Sequence, residues 1–400
     1  MKKFVYQAKN QQGKKCEGIV EAVGEKEAVM ALRQRKLIVV ELHEQGASLW
    51  YKFRVLISLV SFSDVVNFTR QLSTMITAGL PITESLSILQ EQAAPAMSKV
   101  VAEILHDVQG GTSLTKALKK HPKFFSPIYL ALIKSGEAAG VLDEVLKKLA
   151  ENLEKQQQFR SKVRGAMIYP AIILVGMVVV TIIMMVFVIP KMLDMYQEFG
   201  ADLPVTTQIL IDLVNFFQKF WYFLLIGLAG GIYGLRLWHK TPIGREKIDR
   251  FLLQTPIIGV LQQKVILSDV TRTLGILIGS GVSIVQSLEI VSKAANNVIY
   301  ETALRKTAKS VEKGLPLGAT IGRHKFFPPI MVQMIAVGEE TGKLDEVLGR
   351  VSVYFERESE EALKTLTTAI EPIMMILLGI GVGFLVIAII MPIYNLTASF

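Results

Sequence analysis

One segment has the residue types and approximate spacing of a phosphate-binding loop: Gly338-Glu339-Glu340-Thr341-Gly342-Lys343. In such loops the glycines and a following lysine surround a phosphate group. The two glycines are one residue too close together for a phosphate-binding loop. Leu344 also stands where a serine or threonine would hold magnesium, and no strand is predicted before the segment. We therefore expect neither a nucleotide site nor a bound cofactor here.

Acidic side chains accompany this segment and a similar one earlier in the chain. Each group consists of a glutamate after the first glycine and an Asp-Glu pair after the second: Glu137, Asp143 and Glu144, then Glu339, Asp345 and Glu346. Clustered carboxylates bind calcium or magnesium when backbone oxygens complete the coordination shell. Carboxylates in the first turn of a helix are also stabilised by the helix dipole. The sequence leaves both interpretations open, and helix capping with surface salt bridges needs no bound ion.

The remaining reactive residue types form no catalytic pattern. The five histidines are scattered, and Cys16 is the single cysteine, so neither a catalytic triad nor a metal-ligand spacing is present. The net charge of +9 is compatible with nucleic-acid binding, but the cations lack interleaved aromatic residues and flank apolar segments instead. These observations predict a protein that is not an enzyme and does not bind nucleic acid.

The acidic segments belong to an internal repeat. The pattern Gly-Glu-x-x-Gly-x-Leu-Asp-Glu-Val-Leu begins at Gly136 and again at Gly338, 202 positions later. The same offset joins further pairs of residues: Arg70 with Arg272, Gly79 with Gly281, Gly140 with Gly342, Pro170 with Pro372, and Pro190 with Pro392. The repeated residues, together with Glu371, are our candidates for a partner-docking or structural motif.

Three apolar segments are predicted to cross a membrane, in agreement with a mean hydropathy of +0.41. We place them at residues 166–190, 220–238 and 371–393, with an external, periplasmic loop at 191–219. Cations precede the first segment and follow the second, so the positive-inside rule predicts a cytoplasmic N-terminus and a periplasmic C-terminus. Glu371 lies at the edge of the third segment, and the prolines that bracket the spans are expected to kink or end them.

The soluble parts have helical periodicity. Residues 62–165 and 262–370 are predicted to be homologous cytoplasmic helical bundles of five or six helices each, and each bundle leads into a membrane helix. Residues 1–45 alternate as a small β-β-α-β segment, and residues 46–61 form a linker. The predicted fold is thus an all-α membrane protein with two repeated bundles, three transmembrane helices and a small N-terminal α+β segment.

The repeated motifs resemble those of the GspF/PilC family. The resemblance rests on the run from Phe68 to Pro81 (FTRQLSTMITAGLP), on Ser135-Gly136-Glu137 with Gly140 and Leu142, and on Tyr169-Pro170, and it covers nearly the whole chain. It implies an inner-membrane platform protein of type IV pilus or type II secretion machines. The wording of the motifs favours the pilus branch, and the secretion branch is the alternative. A transporter or channel would need polar residues at mid-membrane, where the spans have little beyond Thr181.

The resemblance also implies partners and a mechanism. The partners are a cytoplasmic hexameric ATPase, pilins or pseudopilins, other inner-membrane components, membrane lipid and further copies of the chain. We expect the helix from Val145 to Arg164 to carry ATPase-driven motion into the first span. The small residues Gly379, Gly381 and Gly383 would allow close approach of an apolar pilin helix.

Overall fold

The computed structural model describes residues 2–9, 15–22, 24–34, 38–44, 60–188, 190–191 and 233–398, with isolated positions at 216, 219–220, 222–223, 226–227 and 229–231. The predicted linker and the predicted external loop therefore lie almost entirely outside the described residues. The predicted second span, 220–238, is described only in part. Its described residues are helical.

The N-terminal part contains a three-stranded antiparallel sheet and one helix. Strand β1 (Lys2–Lys9) lies between β2 (Lys15–Ala22) and β3 (Ile38–Glu44), and helix α1 (Glu25–Gln34) connects β2 to β3. Ala28 and Leu32, four residues apart on α1, are buried together with Val20 and Ala22 of β2. This small apolar contact fixes the helix on the sheet.

The first helical unit has six helices. They are α2 (Phe62–Thr77), α3 (Ile82–Gln92), α4 (Pro95–Gln109), α5 (Leu114–Lys119), α6 (Pro127–Ala139) and α7 (Leu142–Ile183). Helix α2 begins at a capping box, in which Ser61 and Asp64 each bond the other's backbone N–H. Its apolar residues at helical spacing, including Val65, Phe68 and Leu72, are buried.

The second helical unit repeats this order after one additional helix. The additional helix is α8 (Pro242–Gln254). The repeated helices are α9 (Ile258–Ile278), α10 (Ile284–Ala294), α11 (Val298–Glu312), α12 (Leu317–Ile321), α13 (Pro329–Thr341) and α14 (Leu344–Ala398). Helices α10, α13 and α14 begin 202 positions after α3, α6 and α7. The predicted duplication of a helical unit is therefore confirmed.

The two units share one apolar core. Phe125 and its repeat partner Phe327 are both buried, and each packs against a tyrosine, Tyr129 at 4.9 Å and Tyr300 at 5.5 Å between ring centroids. The buried side chains of both units form a single continuous cluster. The two helical units are therefore packed directly against each other.

Two of the described helices, α7 and α14, are long and apolar enough to cross a membrane. Helix α7 continues into a π-helical turn, Met184–Val188. The prolines were expected to kink or end the spans: α7 continues through Pro170 and α14 through Pro372 and Pro392, so these three do not end a helix, and a kink stays a prediction. A Cβ atom at Gly381 would lie 3.8 Å from Met177 Sδ, so α14 and α7 are close at this level.

Helices α8 and α9 together also meet the length and composition test for a span, but they meet at an angle of 108°. Leu267, Leu274 and Leu277 of α9 are buried in the core, and Arg272 lies on the same helix. These contacts assign α9 to the helical unit and not to the membrane.

Candidate functional site: the duplicated helix corners

The repeated Gly-Glu-x-x-Gly pattern forms a tight corner between two helices in each unit. Helix α6 ends at Gly140 and α13 ends at Gly342, with φ values of 70° and 69° in the left-handed region. A side chain at either position would strain the backbone, whereas glycine adopts this conformation freely. The next helix begins two residues later in both copies.

The first glycine of each pattern lets the two helices of the corner approach closely. Gly136 and Gly338 are buried, and a Cβ atom there would lie 3.1 Å from Val145 Cβ and 3.0 Å from Val347 Cβ, respectively. These distances are shorter than van der Waals contact, so alanine would push the helices apart. Close approach is the structural reason for glycine at both positions.

The glutamate that follows this glycine caps a neighbouring short helix. Glu137 accepts hydrogen bonds from the backbone N–H of Leu114 at 2.7 Å and of Thr115 at 3.1 Å, at the start of α5. The Thr115 hydroxyl also donates to this carboxylate.

Glu339 repeats the arrangement at the start of α12, where Leu317 N–H and Gly318 N–H donate at 2.8 and 3.1 Å. Of the two interpretations of these glutamates, the structure therefore supports capping. In the described parts of the chain, no group of three or more His, Cys, Asp or Glu side chains could hold a metal ion.

The remaining acidic residues of the pattern begin the next helix. Asp143 and Glu144 lie in the first turn of α7, and Asp345 and Glu346 lie in the first turn of α14. All four are exposed, and Glu346 pairs with Arg350 at 2.7 Å. Their position at helix N-termini agrees with the sequence-based interpretation, since carboxylates there interact favourably with the helix dipole.

The other repeated glycines end the first helix of each repeat. Gly79 follows α2 and Gly281 follows α9, with φ values of 85° and 80°. In the second unit this turn contacts the first unit, because Ser135 Oγ of α6 donates to the carbonyl oxygen of Ser280. The corner of the first unit is thus joined to the turn of the second.

The repeated arginines bind repeated glutamates. Arg70 makes a bidentate ion pair with Glu154, through its Nε and Nη2 atoms, and this contact lowers the pKa of Glu154 and raises that of Arg70. Arg272 pairs with Glu356, the position 202 residues after Glu154, at 3.1 Å. The Arg272 side chain is 10% exposed, against 36% for Arg70. The second pair is therefore the more buried of the two.

Ion pairs between the units were not predicted from the sequence. Lys155 Nζ of α7 lies 3.1 Å from Glu356 Oε2 of α14, so Glu356 binds a cation from each unit. Lys162 pairs with Glu360 farther along the same two helices. The 202-residue offset, which joins Glu154 to Glu356 and Arg70 to Arg272, gives a sequence signal only for the pairs within each unit.

A cleft of about 840 Å³, lined by both apolar and polar side chains, lies between the units beside these ion pairs. Asn152 Oδ1, Gln262 Oε1 and Arg272 Nε line it and have no hydrogen-bond partner among the described residues. A cleft of this size and polarity accommodates water. Contact between the units is thus partly apolar and partly polar.

Glu371 is separate from the corners. It is exposed on α14 beside Pro372, and it makes no ion pair with another described residue. Its position agrees with that of a residue at the membrane edge.

Family models match both the duplicated and the N-terminal parts. The model described as "Type II secretion system (T2SS), protein F" matches residues 68–190 and 270–392, again 202 positions apart. The model "Type II secretion system protein F, N-terminal domain" matches residues 1–43. The chain belongs to the type II secretion system protein F family. Each corner lies inside one matched segment of this family, together with all of α7 and with α14 as far as residue 392.

Curated relatives from both branches of the family align over almost the full length. The chain is 36% identical to "Type IV pilus assembly protein PilC" of Thermus thermophilus, covering 99% of this chain and 98% of the relative. It is 31% identical to "Type IV pilus assembly protein TapC" of Aeromonas hydrophila, with 98% and 95% covered. It is also 31% identical to "Type II secretion system protein F" of Xanthomonas campestris, with 98% of each chain covered.

The capping role predicts that replacing Glu339 destabilises the protein more than replacing its neighbour Glu340. Replacing Glu339 with alanine leaves the Leu317 and Gly318 N–H groups without their acceptor, so we expect a loss of about 1–2 kcal/mol. Thermal unfolding of the full chain in detergent, followed by circular dichroism, measures the effect. Glu340→Ala is the matched control, because Glu340 is exposed on the same helix. Equal shifts in melting temperature for the two variants would contradict the capping role.

Because Glu356 binds cations from both units, we expect its removal to destabilise the protein more than removal of an exposed ion pair. Glu356→Ala leaves the mostly buried Arg272 guanidinium without its main partner and removes the contact with Lys155, so we expect a loss of about 2–3 kcal/mol. The control is Glu360→Ala, whose ion pair with Lys162 is about half exposed and should contribute less than about 1 kcal/mol. Denaturant titration in detergent compares the two. A Glu360 effect as large as the Glu356 effect would refute this ranking.

Proposed function

We propose that this chain is the inner-membrane platform protein of a type IV pilus assembly machine, without catalysis of its own. In this role it couples a cytoplasmic ATPase to the insertion of pilins into the fibre. The observation that carries the proposal is the near full-length similarity to relatives named type IV pilus assembly proteins, at 31–36% identity. The same duplicated unit is matched in the family model.

We propose a topology that places both helical units in the cytoplasm. Cations precede the first span (Lys155, Arg160, Lys162 and Arg164), whereas the segment from Pro392 to Phe400 has no charge. This asymmetry supports a cytoplasmic N-terminus and a periplasmic C-terminus. Side-by-side packing of the two units supports their location on the same side of the membrane, which requires a further span between α7 and α8.

We propose the corners as the docking face for the ATPase. Helices α7 and α14 begin at the corners and lead into the spans, so the corners lie at the end of the bundle that is farthest from the membrane. Asp143, Glu144 and Asp345 present exposed carboxylates there, and Glu346 is exposed beside its partner Arg350. Such a surface suits a partner with a positively charged patch.

The proposed transmission of force follows the long helices. Helix α7 extends for 42 residues from the corner into the span without interruption, and α14 extends for 55 residues. In this proposal, each long helix carries a displacement applied at the corner to the membrane. Lys155, Lys162 and their partners on α14 connect the two rods at mid-length.

The second candidate function is the corresponding role in type II secretion. It is supported by the relative from Xanthomonas campestris, which aligns over the same length at 31% identity. In that case the membrane partners are pseudopilins. Both functions use the same fold, so an experiment in the host must distinguish them.

Deletion of the gene tests the proposed function directly. We expect the deletion strain to lose its surface fibres, as counted by electron microscopy, and to keep normal export of secreted enzymes. The wild-type gene supplied on a plasmid should restore the fibres. Loss of enzyme export with fibres intact would instead assign the chain to type II secretion, and no change in either would exclude both roles.

Charge reversal at the corners tests the docking face. We expect Asp143→Lys with Glu144→Lys, or Asp345→Lys with Glu346→Lys, to weaken capture of the assembly ATPase by the detergent-purified chain about tenfold, or about 1.4 kcal/mol. The control is Glu361→Lys, because Glu361 is exposed on α14 nearer the span. Retained helicity by circular dichroism shows that the variants fold. Equal capture by corner and control variants would place docking elsewhere.

A further inference from the structure

Helix α8 combines exposed apolar side chains with exposed cations. Ile243, Lys247 and Phe251 are spaced four residues apart on one face, and the two apolar side chains are 68% and 67% exposed. The following turn adds Ile257 and Ile258, which are 36% and 47% exposed. Large apolar side chains grouped in this way on a surface indicate an interaction site.

The opposite face of α8 is fixed to the second helical unit. Asp249 is 3% exposed and its Oδ2 atom accepts a hydrogen bond from Val298 N–H at 2.8 Å, at the start of α11. Arg245 pairs with Glu301 of the same helix at 3.3 Å. The apolar and basic face of α8 is therefore held outward from the bundle.

The turn between α8 and α9 fixes their angle. Ile257 has a φ of 68°, which is strained for a β-branched residue, and the Ile258 N–H donates to the Pro256 carbonyl oxygen at 2.8 Å. A Cβ atom at Gly259 would lie 2.3 Å from the Leu253 carbonyl oxygen, so only glycine fits there. This compact turn sets α8 at 108° to α9.

The packing of α9 against α14 shows where this turn lies relative to the membrane. A Cβ atom at Gly275 would lie 3.2 Å from Leu348 Cβ, Ser268 Oγ donates to the Ser352 carbonyl oxygen at 3.3 Å, and Lys264 pairs with Glu358. Residues with lower numbers on α9 therefore contact residues with higher numbers on α14, which lie nearer the span. The two helices are antiparallel, and the beginning of α9 is its membrane end.

The same packing gives an approximate height above the bilayer. Ile258 lies six residues before Lys264, which places it at the level of about residue 364 of α14. The uncharged part of α14 begins at Pro372, roughly 12 Å farther along the helix axis at 1.5 Å per residue. Because α9 follows α14 and α8 is nearly perpendicular to α9, helix α8 lies nearly parallel to the membrane plane.

The charge on this surface suits anionic lipid. In residues 233–254, all of which the structure describes, the exposed cations are Arg236, Lys240, Lys247 and Arg250. The only exposed carboxylate in that range is Glu246, which pairs with Arg250. Lysine and arginine beside apolar side chains are typical of helices that lie in the headgroup region.

We propose that helix α8 is an interfacial helix that rests on the anionic surface of the membrane. Ile243, Phe251 and the Ile257-Ile258 turn enter the headgroup region, and Lys240 and Lys247 bind lipid phosphates. The contact holds the second helical unit at a fixed height and orientation while the corners at its far end remain accessible. It requires only that α14 spans the bilayer, so it is independent of the choice between pilus assembly and secretion.

Spin labelling of the full chain in nanodiscs tests the proposal. The single native cysteine is removed by Cys16→Ala, and a nitroxide is attached after Phe251→Cys, with Val337→Cys as the matched control on α13. Val337 is 50% exposed and lies in the turn of α13 next to the corner, far from the membrane. Relative accessibility to oxygen and to a water-soluble nickel chelate measures depth. In nanodiscs of phosphatidylcholine with phosphatidylglycerol we expect the label at 251 to be several-fold less accessible to nickel than the label at 337, as for a side chain at the level of the headgroups.

The label at 337 should remain fully accessible to nickel in both lipids, and in pure phosphatidylcholine the label at 251 should be several-fold more accessible to nickel than in the mixed nanodiscs. In the mixed nanodiscs, Lys240→Gln with Lys247→Gln should raise the nickel accessibility at 251 several-fold toward the value at 337. A label at 251 that is as accessible to nickel as the label at 337 in the mixed lipid would overturn the proposal, and would leave this face for a protein partner. The side chains of Phe251, Val337, Lys240 and Lys247 are all exposed, so these variants are expected to fold.

Discussion

The corner glutamates are the interaction on which the rest of each helical unit depends. Helices α5 and α12 have only six and five residues, too few to be stable alone, and each begins at N–H groups that need an acceptor. Glu137 and Glu339 provide this acceptor from a neighbouring helix, while Gly136 and Gly338 bring that helix against the next one. One short pattern therefore positions three helices and sets the direction in which α7 and α14 leave the bundle toward the membrane.

The duplicated Arg-Glu ion pair has different contacts in the two units. Arg70 and Glu154 form a closed pair in the first unit. In the second unit the equivalent carboxylate, Glu356, also binds Lys155 of the first unit. Because a carboxylate has enough lone pairs for both cations, the second copy gained a contact between units without losing its internal pair. The two copies therefore differ in this contact, and also at Lys343 and Glu371, whose repeat partners are Val141 and Tyr169.

The sequence is informative about local features and much less so about contacts between distant residues. The 202-residue offset, the glycine helix ends and the acidic first turns were predictable because each depends on a few adjacent positions. The acceptor role of Glu137 was not, because its donors lie 22 and 23 residues away and meet it only after the helices pack. The pair of Lys155 with Glu356 departs from the repeat register, so no internal comparison could identify it. Pro170 and Pro372 do not end their helices, because a proline removes one backbone hydrogen bond and neighbouring turns can retain the helix.

Long helices transmit displacement only when the bundle around them is held at both ends. At the corner end, the α5 and α12 caps and the left-handed glycines fix where α7 and α14 begin. At the membrane end, the spans themselves are apolar and slide easily within lipid, so they offer little resistance to rotation of the bundle. A basic helix held rigidly to the second unit, as α8 is through Asp249 and Arg245, supplies that resistance when it rests on charged headgroups. In the proposed mechanism, motion applied at the corners then moves the spans relative to the bilayer instead of turning the whole molecule within it.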